Sequence, residues 1–337
     1  MTRQPGRAGG VLTSGRTWRG LAIAALGLAC QMPPAASLPP GSFAFGVFGD
    51  GPYRAWEMGR FRRVIEDANR ADLQWFLHVG DILWYPCSNE AYGDRLYRMN
   101  GIRHPVVYTP GDNEWADCHE TIAGSFQPLD RLRQLRATFF SSPGTSLGQR
   151  AMAVTTQAQD SAFSEFVENA RWQFGGFVFA TMHMVGSGNA SRSFEGRTAA
   201  DDDEVAARTR AATAWMEETF RIAQADGLKG VVLAIHGDPG LENYPADVYD
   251  SYGALVQRLE DLVKGFAGQV LLIHGDSHEL LMDHPLQDRT TAQPLSNFTR
   301  LETFGSPDIG WVRVVVDSVA GRFVEFEPRL VSRWLVW

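Results

Sequence analysis

The chain of 337 residues is 44% hydrophobic and 21% charged, figures of an ordinary globular protein that exclude a disordered or fibrous one. Its length suffices for one large α/β domain or two small ones. A net charge of −8 makes it a poor non-specific binder of nucleic acid.

Arg3, Arg7, Arg16 and Arg19 precede any acidic residue, and the apolar stretch Leu21–Ala29 follows, before Pro33, Pro34 and the small residues Ala35–Ser37. A basic region, a short apolar core and small residues beyond describe a secretory signal peptide. Nine apolar residues fall short of the roughly 20 that span a bilayer, so no transmembrane anchor is expected. Residues 1–40 are therefore read as signal peptide and leader, and 41–337 as a single domain, secreted or periplasmic. Loss of the leader removes four arginines and takes the charge from −8 to −12. Cys30, preceded by Ala29, offers lipid anchoring as an alternative that Gly27 and Leu28 disfavour.

Five apolar runs then end in Gly-Asp: Phe43–Phe48, Trp75–Val79, Pro105–Pro110, Val231–His236 and Val270–His274 lead to Asp50, Asp81, Asp112, Asp238 and Asp276. Short runs this rich in Val, Phe and Ile read as buried parallel strands. Between the first two, Ala55–Ala71 spaces Phe61, Val64, Ile65 and Ala68 as one face of a helix, which completes a βαβ unit. Ligands sit beyond the carboxyl ends of such strands, and carboxylates that converge there repel one another unless a cation lies between them. The pattern predicts a metal site, with each glycine supplying a sharp turn. Cys87 and Cys118 each follow one of these aspartates by six residues. In an oxidising compartment they are expected to join the two loops by a disulfide.

Beyond Asp112, the Gly, Ser, Gln and Thr clusters of residues 119–176 predict long loops over one side of the site. Phe177–Thr181 reads as a strand that runs into a glycine-rich turn at Val185–Asn189. Asp201–Asp203 are expected to cap a helix over Glu204–Ala225, closed by Gly227. Leu255, Leu259, Leu262, Val263 and Phe266 mark a further helix, and Trp311–Asp317 with Arg322–Phe326 a β-hairpin.

Taken together, FGDGPY (Phe48–Tyr53), VGDILWY (Val79–Tyr85), PGDNEW (Pro110–Trp115), His236 and HGDSH (His274–His278) follow the motif order of one family. The chain resembles the calcineurin-like metallophosphoesterases, a group that includes the purple acid phosphatases, over residues 43–330. TPGDNEWADC looks like a secreted bacterial branch with divergent motifs. The resemblance implies an α/β sandwich of two mixed β-sheets flanked by helices, with the metal site at the carboxyl ends of the strands. It implies hydrolysis of a phosphorylated small-molecule or lipid substrate by a metal-held hydroxide. Carried over residue by residue, Asp50, Asp81 and His278 would hold one divalent ion. Asp81, Asp112, His236 and Asp276 would hold the other, with Asp238 as the alternative to His236. Two ions about 3.5–4 Å apart clamp a phosphoryl group for in-line attack. So many carboxylates favour Mn²⁺ or Mg²⁺, while the imidazoles admit Zn²⁺ or Fe.

The departures from the family are Pro52 in place of a first-motif histidine, Asp112-Asn113 in place of Asn-His, and Asp276 in place of the first histidine of the last motif. The Asn113 amide can hydrogen-bond a phosphoryl oxygen but cannot donate a proton near pH 7. His183, His236 and His274 are therefore the candidate proton donors. Tyr53 and Tyr85 are weighed as phenolate ligands against simple packing, and Arg95 and Arg98 as phosphate grips against a solvated helix face. Two other functions compete: a degenerate relative that binds metal or phosphate without turnover, and a GDSL-type serine esterase built on Gly275-Asp276-Ser277. The second places its nucleophile block at the wrong end of the chain.

Overall fold

The first apolar run folds as β1 (Ser42–Phe48), and its alternate residues face two different layers. Phe43, Phe45 and Val47 pack against Phe179, Val232 and Ile273 of a second sheet. Ala44 and Phe48 pack against Phe61, Val64 and Ala68 of the helix Met58–Arg70. Burial on both faces is why the run is continuously apolar. In this computed structural model residues 37–331 are described, apart from 243 and 246–250. The expected signal peptide and Cys30 lie outside the described residues. Among the described residues no helix is long and apolar enough to cross a membrane.

Strands β2 (Phe76–His78) and β3 (Val106–Tyr108) run parallel to β1, with Gly46 opposite Phe76 and Phe76 opposite Val106. In chain order there follow β4 (Thr155–Thr156), β5 (Ala170–Phe174), β6 (Phe177–Thr181), β7 (Gly230–Ala234), β8 (Gln269–His274), β9 (Leu281–Asp283), β10 (Phe298–Glu302), β11 (Gly310–Asp317) and β12 (Arg322–Leu330). The first sheet has the order β12-β11-β1-β2-β3, and the second β4-β5-β6-β7-β8-β10-β9. The outer face of the second sheet, through Val178, Val231, Leu233 and Leu272, buries Trp215, Met216 and Phe220 of the helix Ala199–Ala225 and Leu255, Leu259 and Val263 of the helix Gly253–Lys264. The architecture is thus helix, sheet, sheet, helix: the expected α/β sandwich of two mixed sheets.

Two sequence expectations need correction. Residues 119–176 are not all loop. Pro128 starts a helix, Pro128–Phe139, whose Leu132, Leu135 and Phe139 share a buried stripe with Tyr92, Trp115 and the cysteines. The helix expected from Glu204 begins at Ala199 instead. Thr198 and Asp201 cap it reciprocally, which places Asp201 and Asp202 inside its first turn. Cys87 and Cys118 form the expected disulfide, their Cα atoms 5.8 Å apart.

Candidate metal centre

The carboxyl ends of β1, β2, β3, β7 and β8 meet at one place, and the chain turns sharply there in a manner the Gly-Asp pattern did not reveal. The aspartates themselves take the left-handed backbone: φ is 54° at Asp50, 56° at Asp81 and 79° at Asp276, with His278 at 67°. Such conformations cost of order 1 kcal/mol or more at each residue that is not glycine, and they collect at functional sites. Several glycines serve close approach instead. A Cβ at Gly111 would overlap the Asp81 carboxylate, and one at Gly275 would overlap Asp50 Oδ2. At Gly186, in the turn after β6, it would lie 2.6 Å from Asp112 Oδ1 and would overlap Asp276 as well. The carboxylates are packed directly against backbone.

His236 is the centre of the cluster. Its Nδ1 lies 2.8 Å from the Val79 carbonyl, which can only accept, so Nδ1 carries a proton and Nε2 is turned to the carboxylates. Nε2 faces Asp112 Oδ1 at 3.0 Å, Asp81 Oδ1 at 3.2 Å and Asp276 Oδ1 at 3.8 Å. His278 is oriented the same way: Nδ1 donates to the Ser306 carbonyl at 2.7 Å, and Nε2 faces Asp50 Oδ1 at 3.7 Å. Fixing one ring nitrogen on a carbonyl is how metal-binding histidines are usually aimed. Two groups, Asp50–Asp81–His236 and Asp112–His236–Asp276, each bring their ligand atoms within 4.8 Å of one another. Asp50 Oδ2 is buried without a hydrogen-bond partner. These oxygen and imidazole donors, one of them orphaned, fit a divalent cation.

Charge in the cluster is unbalanced. Burial raises the pKa of Asp50 to about 7 and that of Asp81 well above the ordinary range, against the pull of His236. Burial would also raise Asp112, but hydrogen bonding to His236 outweighs it and holds Asp112 at about 2. Burial alone would lower His236, yet the surrounding carboxylates hold it well above its usual value.

Within the cluster, Asp81 is the most heavily hydrogen-bonded carboxylate. Its Oδ2 accepts from Tyr53 O–H at 2.5 Å and from Asn113 Nδ2 at 2.5 Å, and its Oδ1 from the Asn113 backbone at 3.2 Å. Burial and the Asp81 charge push the Tyr53 pKa well up, so the phenol stays protonated and donates. Glu114, which sequence reasoning passed over, accepts from Ile82 N–H at 3.0 Å and Tyr108 O–H at 2.8 Å and so pins the second loop to the third. A buried acid two residues beyond Asp112 in PGDNEW was its signal.

No family model matches the sequence, and no curated protein matches it. The structure superposes on that of PhoD with a TM-score of 0.52 and 13% identity, covering 85% of this chain and 66% of that one. The chain has the calcineurin-like metallophosphoesterase fold. Its likeness to TT1561 of Thermus thermophilus is weaker (TM-score 0.47, 9% identity, 85% of this chain and 98% of that one). A putative 5'-nucleotidase from Staphylococcus aureus also matches at 0.47, with 13% identity over 88% of this chain and 56% of that one.

Within the metallophosphoesterase fold, Asp50, Asp81, Asp112, His236, Asp276 and His278 come together, with Asn113 bound to Asp81. Others do not join them. The Asp238 carboxylate accepts from Gly240 N–H at 2.8 Å, and only its backbone N–H reaches Asp276 Oδ2, at 3.1 Å, so His236 is the fourth-motif residue that faces the cluster. His183 is committed at both nitrogens: Trp115 Nε1 donates to Nε2 at 3.1 Å, and Nδ1 donates to Glu168 at 2.7 Å. Since the indole can only donate, His183 has no proton to give at the site. His274 is buried with Nδ1 on the Gly275 carbonyl, and burial lowers its pKa to about 4. Arg95 is turned inward and donates to the Ile82 carbonyl at 2.6 Å. Ser277 donates to Glu302, and among the described residues no imidazole hydrogen-bonds it, so a serine-esterase reading lacks its base.

Proposed function

We propose that this protein is a secreted metal-dependent phosphoesterase acting on a phosphorylated small molecule or lipid. The observation that carries the reading is the convergence of Asp50, Asp81, Asp112, His236 and Asp276 from five strand ends, with His278 facing Asp50. Asp50, Asp81 and His278 would hold one divalent ion, and Asp81, Asp112, His236 and Asp276 the other. Two such ions would supply Lewis-acid polarisation of the phosphoryl oxygens and an acidified water. The oxygen-rich donor set suits Mn²⁺ or Mg²⁺. The chain's own residues do the positioning. Val79 and Ser306 carbonyls fix the two imidazoles, and Tyr53 and Asn113 hold Asp81 in place. The second N–H of the Asn113 amide would donate to a phosphoryl oxygen, the role left to it once the family's histidine is replaced. The leader pattern and the Cys87–Cys118 disulfide support export to an oxidising compartment.

The test is elemental analysis of wild type and Asp81→Asn, followed by a panel of phosphate mono- and diesters with each metal restored. Wild type should bind metal and hydrolyse at least one ester class, and Asp81→Asn should lose both properties. Unchanged metal content in Asp81→Asn would end the two-metal reading. Full metal content in wild type with no hydrolysis would favour the degenerate binding relative, which the replaced histidines motivate.

A further inference from the structure

The rim of the cluster beyond Tyr53 is built by the loops that follow β1 and β2. The Tyr53 ring lies against Trp84, their centroids 5.9 Å apart. Arg54 covers the same indole with Cζ 4.3 Å from its centroid, and lies 5.6 Å from the Tyr85 ring. Its Nη1 donates to the Tyr85 hydroxyl oxygen at 2.6 Å. Some arginines of this chain are neutralised, as Arg136 is by Glu168 and Arg208 by Glu204. The Glu57 carboxylate accepts from the Arg54 backbone N–H at 3.2 Å, but among the described residues no carboxylate forms an ion pair with the Arg54 guanidinium. A half-buried guanidinium held over an aromatic ring has already lost much of its rotamer freedom, and its remaining N–H groups form a fork that fits a planar anion. It stands at the edge of a strongly acidic centre, where any substrate arrives carrying negative charge.

We infer that Arg54 is a specificity-determining residue that binds a second anionic group of the substrate, a carboxylate or further phosphate beyond the scissile one. The inference rests on the phosphoesterase reading and names the substrate class: phosphoesters whose organic part is itself acidic. Trp84 and Tyr85 are the platform that aims the guanidinium.

The experiment compares two non-hydrolysable probes on the metal-loaded protein, phenylphosphonate and 4-phosphonobenzoate, which differ by one carboxylate across the ring from phosphorus. Affinities are read by calorimetry and by tryptophan fluorescence. Wild type should bind 4-phosphonobenzoate about tenfold more tightly, the worth of one good charge-assisted contact. Arg54→Ala should abolish that preference and leave phenylphosphonate within about twofold, since that probe lacks the second anion. Arg54→Lys should keep part of the preference. Arg54→Gln, which retains a donor to Tyr85, serves if the alanine variant does not fold. Equal losses for both probes would mean that Arg54 only staples the loops, and a preference surviving in Arg54→Ala and Arg54→Gln would also overturn the inference. Wild type binding both probes equally overturns it alone. Wild type binding neither overturns the phosphoesterase reading and this inference with it.

Discussion

Glu168 offers a clean test of how the ground behind the site is held. Its side chain is fully buried, receives Arg136 at 2.6 Å and accepts from His183 Nδ1 at 2.7 Å. Burial alone would raise its pKa, but Arg136 and His183 outweigh burial and bring it from 4.5 to about 2. A carboxylate depressed in the folded state stabilises above its unfolded pKa, and that contribution is lost as pH falls through the folded value. The shift is worth about 3 kcal/mol at pH 7 and about 1.5 kcal/mol at pH 3, at 1.36 kcal/mol per unit. No discount for solvent applies, because the carboxylate is buried. Glu168→Gln keeps the shape and an acceptor for His183 but removes the charge. Urea unfolding followed by tryptophan fluorescence should therefore show the variant about 3 kcal/mol less stable at pH 7, with the gap roughly halved at pH 3. A gap that does not change with pH would refute the charge argument and leave only packing. Phosphoesterase activity of the folded variant should stay within a few-fold, because His183 serves Trp115 and not the reacting groups.

Three further outcomes are expected. Replacing Cys87 and Cys118 by serine opens a loop of sequence separation 31 and should cost about 4 kcal/mol in the chain-entropy model, read as a lower urea midpoint. Gly186→Ala should cost about 1–3 kcal/mol and deplete bound metal, since its Cβ would press on Asp112 and Asp276; elemental analysis showing full metal content would mean the carboxylates can move aside. Asp112→Asn keeps an oxygen donor but removes a charge, so titration calorimetry should show weaker Mn²⁺ binding and a shift in preference toward Zn²⁺, whereas unaltered affinity would make Asp112 a mere turn residue.

The apolar runs reported the strands faithfully because β1, β2, β3, β7 and β8 are buried on both faces, which leaves a contiguous signal within the chain. The assignment of strands to two sheets is not written in any run, since it depends on β11 pairing with β1 across most of the sequence. Gly-Asp marks the turns correctly, and Gly80 supplies a positive φ as expected, but most of the left-handed backbone falls on other residues. The left-handed turn falls at Asp50, Asp81 and Asp276, and Gly111 and Gly275 are small because a carboxylate of another loop lies on them. That requirement is three-dimensional, and so is the Arg54–Trp84 contact between two separate loops. His183 misled for the same reason: its partners Glu168 and Trp115 are distant in sequence, and only their joint contact fixes its tautomer.

The pairing of β1 with β11 has a consequence for how the molecule can be cut. Strand β1, which delivers Asp50, is hydrogen-bonded to β2 on one side and, on the other, to residues 312–317 of β11. The turn at Asp317–Gly321 is tied back by Lys229, which donates to the Ser318 and Val319 carbonyls, and by Ser318 N–H on the Gly41 carbonyl. A polypeptide ending before residue 310 would keep every acidic and imidazole side chain of the centre, yet it would leave β1 as a long, flat, apolar edge, the kind of surface that recruits other chains. Such a fragment should aggregate rather than persist as a reduced catalyst. The last two strands therefore act as a cover for the first one, and their integrity governs solubility as much as shape.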